Sequence, residues 1–182
     1  RNSLTNRAGL QKYLRDSLAR NKPYDKMAYE LVTATGSNTP GMEDYNGAVN
    51  FLTMKLAENA TQATAETSKV FLGLQVQCTQ CHNHPFDSWT QRDFFGMAAF
   101  SGGIKYKQEP VGVRGQSFRE LQVAIRKDLG KVGQKALSKF LRPAMAGISG
   151  SGTGVVRLPH DYAYDDARPN QLVPAKPIFG EA

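Results

Sequence analysis

The sequence is poor in the residues from which many binding and catalytic sites are built. Its 182 residues include two cysteines, three histidines and one tryptophan. No apolar run approaches the roughly 20 residues that a helix needs to cross a bilayer, which excludes a membrane span in this chain. Because 40% of the residues are hydrophobic, the chain can still build a core, and one domain is the default expectation for its length.

Acidic residues are also in the minority, since 16 Asp and Glu accompany 23 Lys and Arg and leave a net charge of +7. The basic residues are spread singly, without a block of five or six and without alternating aromatic residues. We therefore expect no nucleic-acid partner, and an acidic protein partner is at least as well supported. The first four residues, 1–4, lack the charged and then apolar layout of a signal peptide, which leaves a cytosolic protein, a processed protein or a fragment open.

The spacing of apolar residues predicts a mainly α fold with long irregular loops and little strand. The predicted helices cover Leu10–Leu18, Tyr24–Thr35, Gly47–Glu58, Ala60–His82 and Thr90–Phe100, with a longer helix after Ser117. Two capping-box patterns support the last two starts, Thr90 with Asp93 and Ser117 with Glu120. Short strands are predicted at Ile104–Tyr106 and Val155–Leu158, whereas the glycine-rich stretch Gly147–Gly154 is predicted to be a flexible loop.

The helix predicted over Ala60–His82 ends in the most informative motif of the chain. Cys78, Cys81 and His82 form the pattern C-x-x-C-H, which contains every cysteine of the sequence and is the spacing that attaches a c-type haem. On a helix, thiols three residues apart lie on one face, where each can add to a haem vinyl group, and the following histidine can ligate the iron. The same helix is predicted to carry an apolar stripe formed by Thr67, Val70, Phe71, Leu74, Cys78 and Cys81.

Three other interpretations of the two cysteines stay open. A redox-active dithiol needs a helix N-terminus to lower the thiol pKa, whereas these residues follow the apolar stripe and therefore lie near a C-terminus. A zinc site could combine Cys78, Cys81, His84 and His160, although the two histidines are far apart in sequence. A structural disulfide between residues so close together would constrain the unfolded chain very little.

Longer stretches resemble a known family. The segment F-L-G-L-Q-V-Q-C-T-Q-C-H-N-H-P-F-D-S-W-T-Q-R-D-F-F-G-M-A-A-F (71–100) is similar to the signature of the planctomycete-type cytochrome-like domain family, a domain of unknown function. The segment N-K-P-Y-D-K-M-A-Y-E-L-V-T-A-T-G (21–36) also resembles it, so the likeness covers about residues 10–100. The stretch L-P-H-D-Y-A-Y-D-D-A-R-P (158–169) and the F-G pair at 179–180 resemble the link to a companion domain.

The resemblance implies a secreted or periplasmic protein that often has a separate cytochrome c domain, of which this chain is an internal fragment. It identifies Cys78, Cys81 and His82 as haem residues, with His84, Pro85 and Trp89 in the same signature, and it supplies no reaction. Residues 1–100 are then expected to be a helical cytochrome-like domain with the haem c motif. Residues 101–182 are expected to be a helical and loop extension that leads to the companion domain.

Other polar residues near the motif are expected to have structural roles. His84 is predicted to cap the turn with Pro85 rather than to act as a ligand, because a lone loop histidine is usually structural. Phe86 and Trp89 are predicted to be wall and core residues. The carboxylates of Asp161, Asp165 and Asp166 lack the Gly and the terminal Glu of a calcium loop, so a solvated turn is expected.

Two functions from different classes follow from a single haem. An electron-transfer module for redox partner proteins would have both axial positions of the iron filled. A haem enzyme or a sensor of gas or peroxide would keep the sixth position open, with His160 and Arg157 as its distal pair. The ranked candidates for the sixth ligand are Met145, in the irregular R-P-A-M-A-G segment, then His160, then an open site. Met27, Met42, Met54 and Met97 are the other methionines considered, and core roles are preferred for Met27, Met54 and Met97. A haem-bearing structural domain is a third possibility.

Overall fold

The structure is a computed structural model. It describes residues 5–56, 60–107, 120, 123–124, 126–128, 130–133, 135–136, 146–150 and 154–179. The fold is mainly α, as the sequence predicted. The helices are α1 (Arg7–Ala19), α2 (Tyr24–Thr33), α3 (Asn50–Leu56), α4 (Ala60–Thr67) and α5 (Gln91–Gly102). The strands are β1 (Gly36–Ser37), β2 (Ile104–Lys107), β3 (Gly147–Gly150), β4 (Val155–Arg157) and β5 (Leu172–Pro174).

The chain divides into two compact units, and each is built from two separate segments. The first unit comprises Arg1–Met54 and Tyr106–Ser149, and the second comprises Lys55–Lys105 and Gly150–Ala182. The division into a cytochrome-like domain at residues 1–100 and an extension at residues 101–182 stays a prediction. Within the described residues, no helix is both long and apolar enough to span a bilayer.

The first unit begins with α1, whose start is set by Asn6. The Asn6 side chain accepts the backbone N–H of Gly9 at 3.0 Å, which satisfies one of the free donors of the first helical turn. Asn21 adopts a positive φ of 48° after the helix, and Lys22 and Pro23 lead into α2. The predicted helix end before Pro23 is therefore confirmed.

A cluster of three asparagine side chains, Asn6, Asn38 and Asn50, occupies the interior of the first unit. The backbone N–H of Asn6 donates to Asn50 Oδ1 at 2.7 Å, and Asn38 Nδ2 donates to the same oxygen at 3.3 Å. Asn6 Nδ2 donates to the carbonyl of Asn38 at 2.9 Å, and Asn50 Nδ2 donates to that of Gly47 at 3.0 Å. Asn38 and Asn50 are buried, and these hydrogen bonds join three separate stretches of the chain inside the first unit.

The second unit packs α4 and the segment that follows it against α5. Its core contains Ala65, Val76, Phe94, Phe95, Leu158, Tyr162 and Val173. The capping box predicted at the start of α5 is confirmed, because Thr90 Oγ1 accepts the N–H of Asp93 and the Asp93 carboxylate accepts the N–H of Thr90. Strands β4 and β5 pair antiparallel, with Val156 opposite Val173, and bring the C-terminal segment onto this core.

The single helix predicted over Ala60–His82 is wrong. Helix α4 ends at Thr67, a π-helical turn covers Ser68–Leu72, and a separate 3-10 helix covers Val76–Gln80. The break occurs at Gly73, which has a left-handed φ of 68° and donates its N–H to the carbonyl of Ser68. This conformation suits glycine and closes the end of a helix, so the 3.6-residue period does not extend to the cysteines.

The predicted apolar stripe is wrong for the same reason. Val70 is exposed, and small residues such as Ala63, Thr64 and Ser68 form the buried face instead. The hydroxyls of Thr64 and Ser68 donate to the carbonyls of Ala60 and Thr64 at 2.9 and 2.8 Å, so these polar groups are satisfied inside the core. Because these side chains are small, α4 can pack closely against α5. The spacing of large apolar residues in the sequence does not predict this packing.

The predictions for strands were partly confirmed. Strands β2 and β4 lie where they were expected. The loop predicted over Gly147–Gly154 is wrong at its start, because Gly147–Gly150 form β3, which pairs antiparallel with β1 and sets Ile148 opposite Gly36. The side chain of Ile148 is buried, and this explains why a glycine-rich stretch is ordered here. The capping box at Ser117 lies outside the described residues, whereas those described between 120 and 136 are helical.

Candidate functional site

The two cysteines belong to the short 3-10 helix Val76–Gln80 and to the residue that ends it. Such a helix has three residues per turn, so side chains three positions apart lie on one side. Val76 and Thr79 point into the core, whereas Cys78 is half-buried and Cys81 is exposed. The 3-10 geometry therefore places both thiols on the outward side, as the i and i+3 spacing predicted, although the helix is not the one expected.

The end of this helix gathers the motif on a single turn. The backbone N–H groups of Cys81 and His82 both donate to the carbonyl of Cys78, at 3.2 and 3.4 Å. The Thr79 hydroxyl donates to the carbonyl of Val76 at 2.5 Å and is fully buried. Both cysteines are free thiols. The motif side chains Cys78, Cys81 and His82 thus leave the same turn, which is anchored from beneath by its buried residues.

The imidazole of His82 is exposed but has a fixed partner. Its Nδ1 lies 2.7 Å from the carbonyl oxygen of Asn83. Since a carbonyl only accepts, this contact requires the proton on Nδ1 and leaves the lone pair of Nε2 available in the neutral ring. Histidines that bind metals commonly have this arrangement, in which a carbonyl fixes the tautomer.

Asn83 is itself held by the surrounding structure. Its backbone N–H donates to the hydroxyl of Tyr164 at 2.8 Å, and its side-chain Oδ1 accepts the N–H of Gln91, the first residue of α5, at 2.8 Å. Gln91 is buried, and its side chain donates to the carbonyl of Gln80 at 3.0 Å. The turn that carries the motif is therefore tied to α5 and to the C-terminal segment.

His84 has a structural role in the turn that follows, in agreement with the prediction. Its Nδ1 accepts the N–H of Phe86 at 3.3 Å, and its own backbone N–H donates to the carbonyl of Trp89 at 2.8 Å. The ring of Trp89 packs edge-on against Phe179, with 5.2 Å between ring centroids. These contacts close the 83–89 turn and hold the end of the described chain against it.

Several apolar side chains on either side of the motif in sequence are exposed. Phe86, predicted to be a wall or core residue, is 94% exposed and therefore does not belong to the core. Val70 and Leu72 are each 47% exposed.

The zinc interpretation has no support among the described residues. They contain no group of three or more His, Cys, Asp or Glu side chains that could hold a metal ion, so Cys78, Cys81, His84 and His160 are not brought together. The dithiol interpretation lacks a helix N-terminus, because Cys81 ends its short helix.

The acidic turn near the C-terminus was expected to be solvated, but Asp166 takes part in structural contacts. Asp166 Oδ1 accepts the hydroxyl of Tyr162 at 2.5 Å, and Arg92 Nη1 donates to the Asp166 carbonyl at 2.7 Å. Burial, followed by the hydrogen bond to Asp166, raises the pKa of the Tyr162 hydroxyl far above its ordinary value. Asp161 and Asp165 are exposed, and the turn does not form a cation site among the described residues.

The candidates for a sixth ligand remain predictions. Met145 lies outside the described residues. His160 is exposed in the turn after Leu158, and Met97 is half-buried on α5. Arg157, considered as a distal partner of His160, donates from Nη1 to the carbonyl of Asn170 at 2.8 Å and thereby holds the ends of the β4–β5 connection together.

Sequence reasoning missed Asn83, Gln91 and Tyr164 as parts of the site. Asn83 directly follows the C-x-x-C-H motif, and Gln91 directly follows Thr90 of the capping box. Their positions in the sequence could therefore have identified them as parts of the site. Tyr164 gave none, because it lies 81 residues after Asn83 and only the fold brings the two together.

Comparison with known proteins gives a family but no function. No curated protein and no solved structure matches the chain. Residues 1–106 match the family model PSCyt2, described as a protein of unknown function (DUF1549). This range is more than half of the chain and contains the motif and α5, whereas Tyr164 lies beyond it. The chain therefore belongs to the PSCyt2 family of proteins of unknown function.

Proposed function

We propose that this chain is a c-type haem protein, in which Cys78 and Cys81 hold one haem covalently and His82 is an axial ligand. Its function is that of a monohaem electron-transfer module within a larger secreted or periplasmic protein. One observation carries the proposal, namely that two free thiols and an imidazole leave a single turn on its outward side. The side chains of Thr79 and Gln80 are hydrogen-bonded within the protein, whereas the Cys81 thiol and Nε2 of His82 remain accessible.

The donor set fits the chemistry of this cofactor. Thioether attachment requires two accessible thiols at the C-x-x-C spacing, and the histidine that follows can reach the iron. His82 meets the requirement for a ligand with its Nδ1 proton engaged by a carbonyl and Nε2 available. Phe86, Val70 and Leu72 are exposed and flank the motif in sequence, and they would be the side chains available for apolar contacts with a porphyrin.

Electron transfer is favoured over catalysis by the side chains around the turn. When bound, the haem supplies a one-electron iron couple, and the chain needs only to hold it and to tune its potential. The distal pair that a peroxide-type enzyme would use is not supported, because Arg157 is engaged with Asn170. The partners would be redox proteins, with acidic surfaces favoured by the net charge of +7, and companion domains of the same polypeptide.

The test is to produce the chain in a bacterial periplasm together with the haem c attachment machinery. We expect an absorption spectrum of haem c in the oxidised and reduced forms, an added haem mass, and retention of haem after acid-solvent extraction. Cys78→Ser with Cys81→Ser should abolish this retention. Gln77→Ala, an exposed substitution on the same 3-10 helix, is the matched control and should leave it unchanged.

Two results would contradict the proposal. One is a wild-type protein that carries no added haem mass under conditions in which a control cytochrome is matured. The other is haem that is lost completely to acid-solvent extraction, because covalent attachment through the two thiols would then be absent.

A further inference from the structure

The C-terminal segment reaches the motif through one tyrosine. Tyr164 accepts the backbone N–H of Asn83 on its hydroxyl at 2.8 Å, across 81 residues of sequence. It lies outside the residues that match the family, in the segment whose sequence suggested only a link to a companion domain. A role as a link to a companion domain does not explain why its hydroxyl binds Asn83, the residue that follows the C-x-x-C-H motif.

Asn83 is the residue through which Tyr164 acts on His82. The carbonyl of Asn83 accepts His82 Nδ1–H at 2.7 Å, while its backbone N–H donates to Tyr164. The peptide group that contains this carbonyl ends in the N–H of His84, which donates to Trp89 at 2.8 Å. A hydrogen bond at one end of a peptide group polarises the other end, so the bond to Trp89 strengthens the acceptor of the His82 proton. Tyr164 binds the preceding peptide group and therefore acts by fixing the position of Asn83.

Tyr164 is held firmly enough to set this geometry. Its ring packs against the core of the second unit and lies edge-on to Tyr162, with 5.5 Å between centroids. Tyr162 is itself buried, and its ring is the part that contacts Tyr164. Because the ring is packed in this way, the Tyr164 hydroxyl has a fixed position before it binds Asn83.

We propose that Tyr164 is a positioning residue for His82. By holding Asn83, it keeps the Asn83 carbonyl on Nδ1 and directs Nε2 of the imidazole outward. With respect to a haem iron the inference rests on the proposed function, since such an outer hydrogen bond makes the ligand more basic and favours the oxidised metal. The segment beyond the family match thus completes the site.

The first measurement needs no cofactor. In the haem-free chain, at a pH where the ring is neutral, ¹⁵N NMR of the His82 ring reports which nitrogen carries the proton. We expect the Nδ1–H form in the wild type and a shift toward the Nε2–H form in Tyr164→Phe, which loses only the hydroxyl. Tyr162→Phe is the matched control, because it also loses one hydroxyl of the same segment but no contact with Asn83; its tautomer should equal that of the wild type.

The second measurement uses the haem-loaded chain. Tyr164→Phe should raise the midpoint potential relative to the wild type, and Tyr162→Phe should leave it unchanged. Equal tautomers in the wild type and Tyr164→Phe, or equal shifts in the two variants, would overturn the positioning role. A chain that takes no haem but shows the tautomer shift would refute the proposed function, while the role of Tyr164 toward His82 would stand.

Discussion

Each compact unit contains a set of three polar side chains. The set in the first unit lies mostly in the interior, whereas the set in the second unit lies at the surface. The asparagine cluster of the first unit is mostly buried, and its members donate to and accept from one another and the nearby backbone. The motif side chains of the second unit are half-buried or exposed, and only His82 among them has a short hydrogen bond.

This difference distinguishes polar groups that stabilise the fold from polar groups that the fold displays at its surface. Burying an amide is tolerable only when it is hydrogen-bonded, and the amide of Asn50 meets this condition through both its oxygen and its nitrogen. Thiols and an imidazole at the surface contribute little to folding. Under the proposed function, these three side chains bind a ligand and do not stabilise the fold.

The sharpest way to test this contrast is to compare variants of the two sets in the haem-free chain. Asn50→Ala removes the oxygen that accepts the Asn6 N–H and Asn38 Nδ2, and it also removes the donor to the Gly47 carbonyl. We expect it to lower the free energy of unfolding by about 2–4 kcal/mol, since each unsatisfied buried group costs roughly 1–3 kcal/mol. Cys78→Ser with Cys81→Ser should change it by less than about 1 kcal/mol, because surface substitutions rarely do more.

Urea unfolding followed by circular dichroism gives both values. Similar losses in the two variants would show that the cysteines also support the fold, and the contrast between the two sets would then disappear.

The sequence predicted the parts of the site that are local and missed those that depend on the fold. The C-x-x-C-H spacing and the Thr90–Asp93 capping box are contained in a few residues, and local geometry decides them. The break at Gly73 depends on a left-handed residue inside an otherwise helical pattern, which apolar spacing does not detect. Strand β3 and the contact of Tyr164 with Asn83 arise from pairing with remote segments, for which the local sequence carries no signal.

A second prediction concerns the sixth ligand of the proposed haem iron. A methionine thioether raises a haem potential and closes the iron, whereas an open position admits small ligands. If Met145 is the sixth ligand, Met145→Ala should lower the midpoint potential of the haem-loaded chain and allow carbon monoxide to bind the reduced iron. His160→Ala is the comparison variant and should change neither property. An unchanged spectrum and potential in Met145→Ala would remove this residue from consideration.

The smallest expected effect comes from Glu30 of the first unit, whose partly exposed carboxylate is hydrogen-bonded to two neighbouring side chains. Lys22 Nζ and the hydroxyl of Tyr13 both donate to Glu30 Oε2. The hydrogen bond from Lys22, followed by that from Tyr13, lowers the pKa of the Glu30 carboxyl below its ordinary value. A carboxyl whose pKa is lower in the folded state stabilises the fold above its unfolded pKa, and this contribution is lost as the pH falls through the folded value.

Glu30→Gln should therefore lower the unfolding midpoint slightly near neutral pH, and the difference from the wild type should shrink as the pH falls below about 4.5. The hydrogen bond to Glu30 raises the pKa of Lys22, so the upper end of the plateau lies in the alkaline range where lysine loses its proton. The effect stays small because Lys22 and Glu30 are partly exposed and solvent screens their attraction. Asp16→Asn, which breaks the exposed Lys12–Asp16 pair on α1, is the control with one partner fewer and should change the midpoint less. A pH-independent difference between Glu30→Gln and the wild type would mean that Glu30 acts through packing, and that an outward polar group in the first unit can stabilise the fold without its charge.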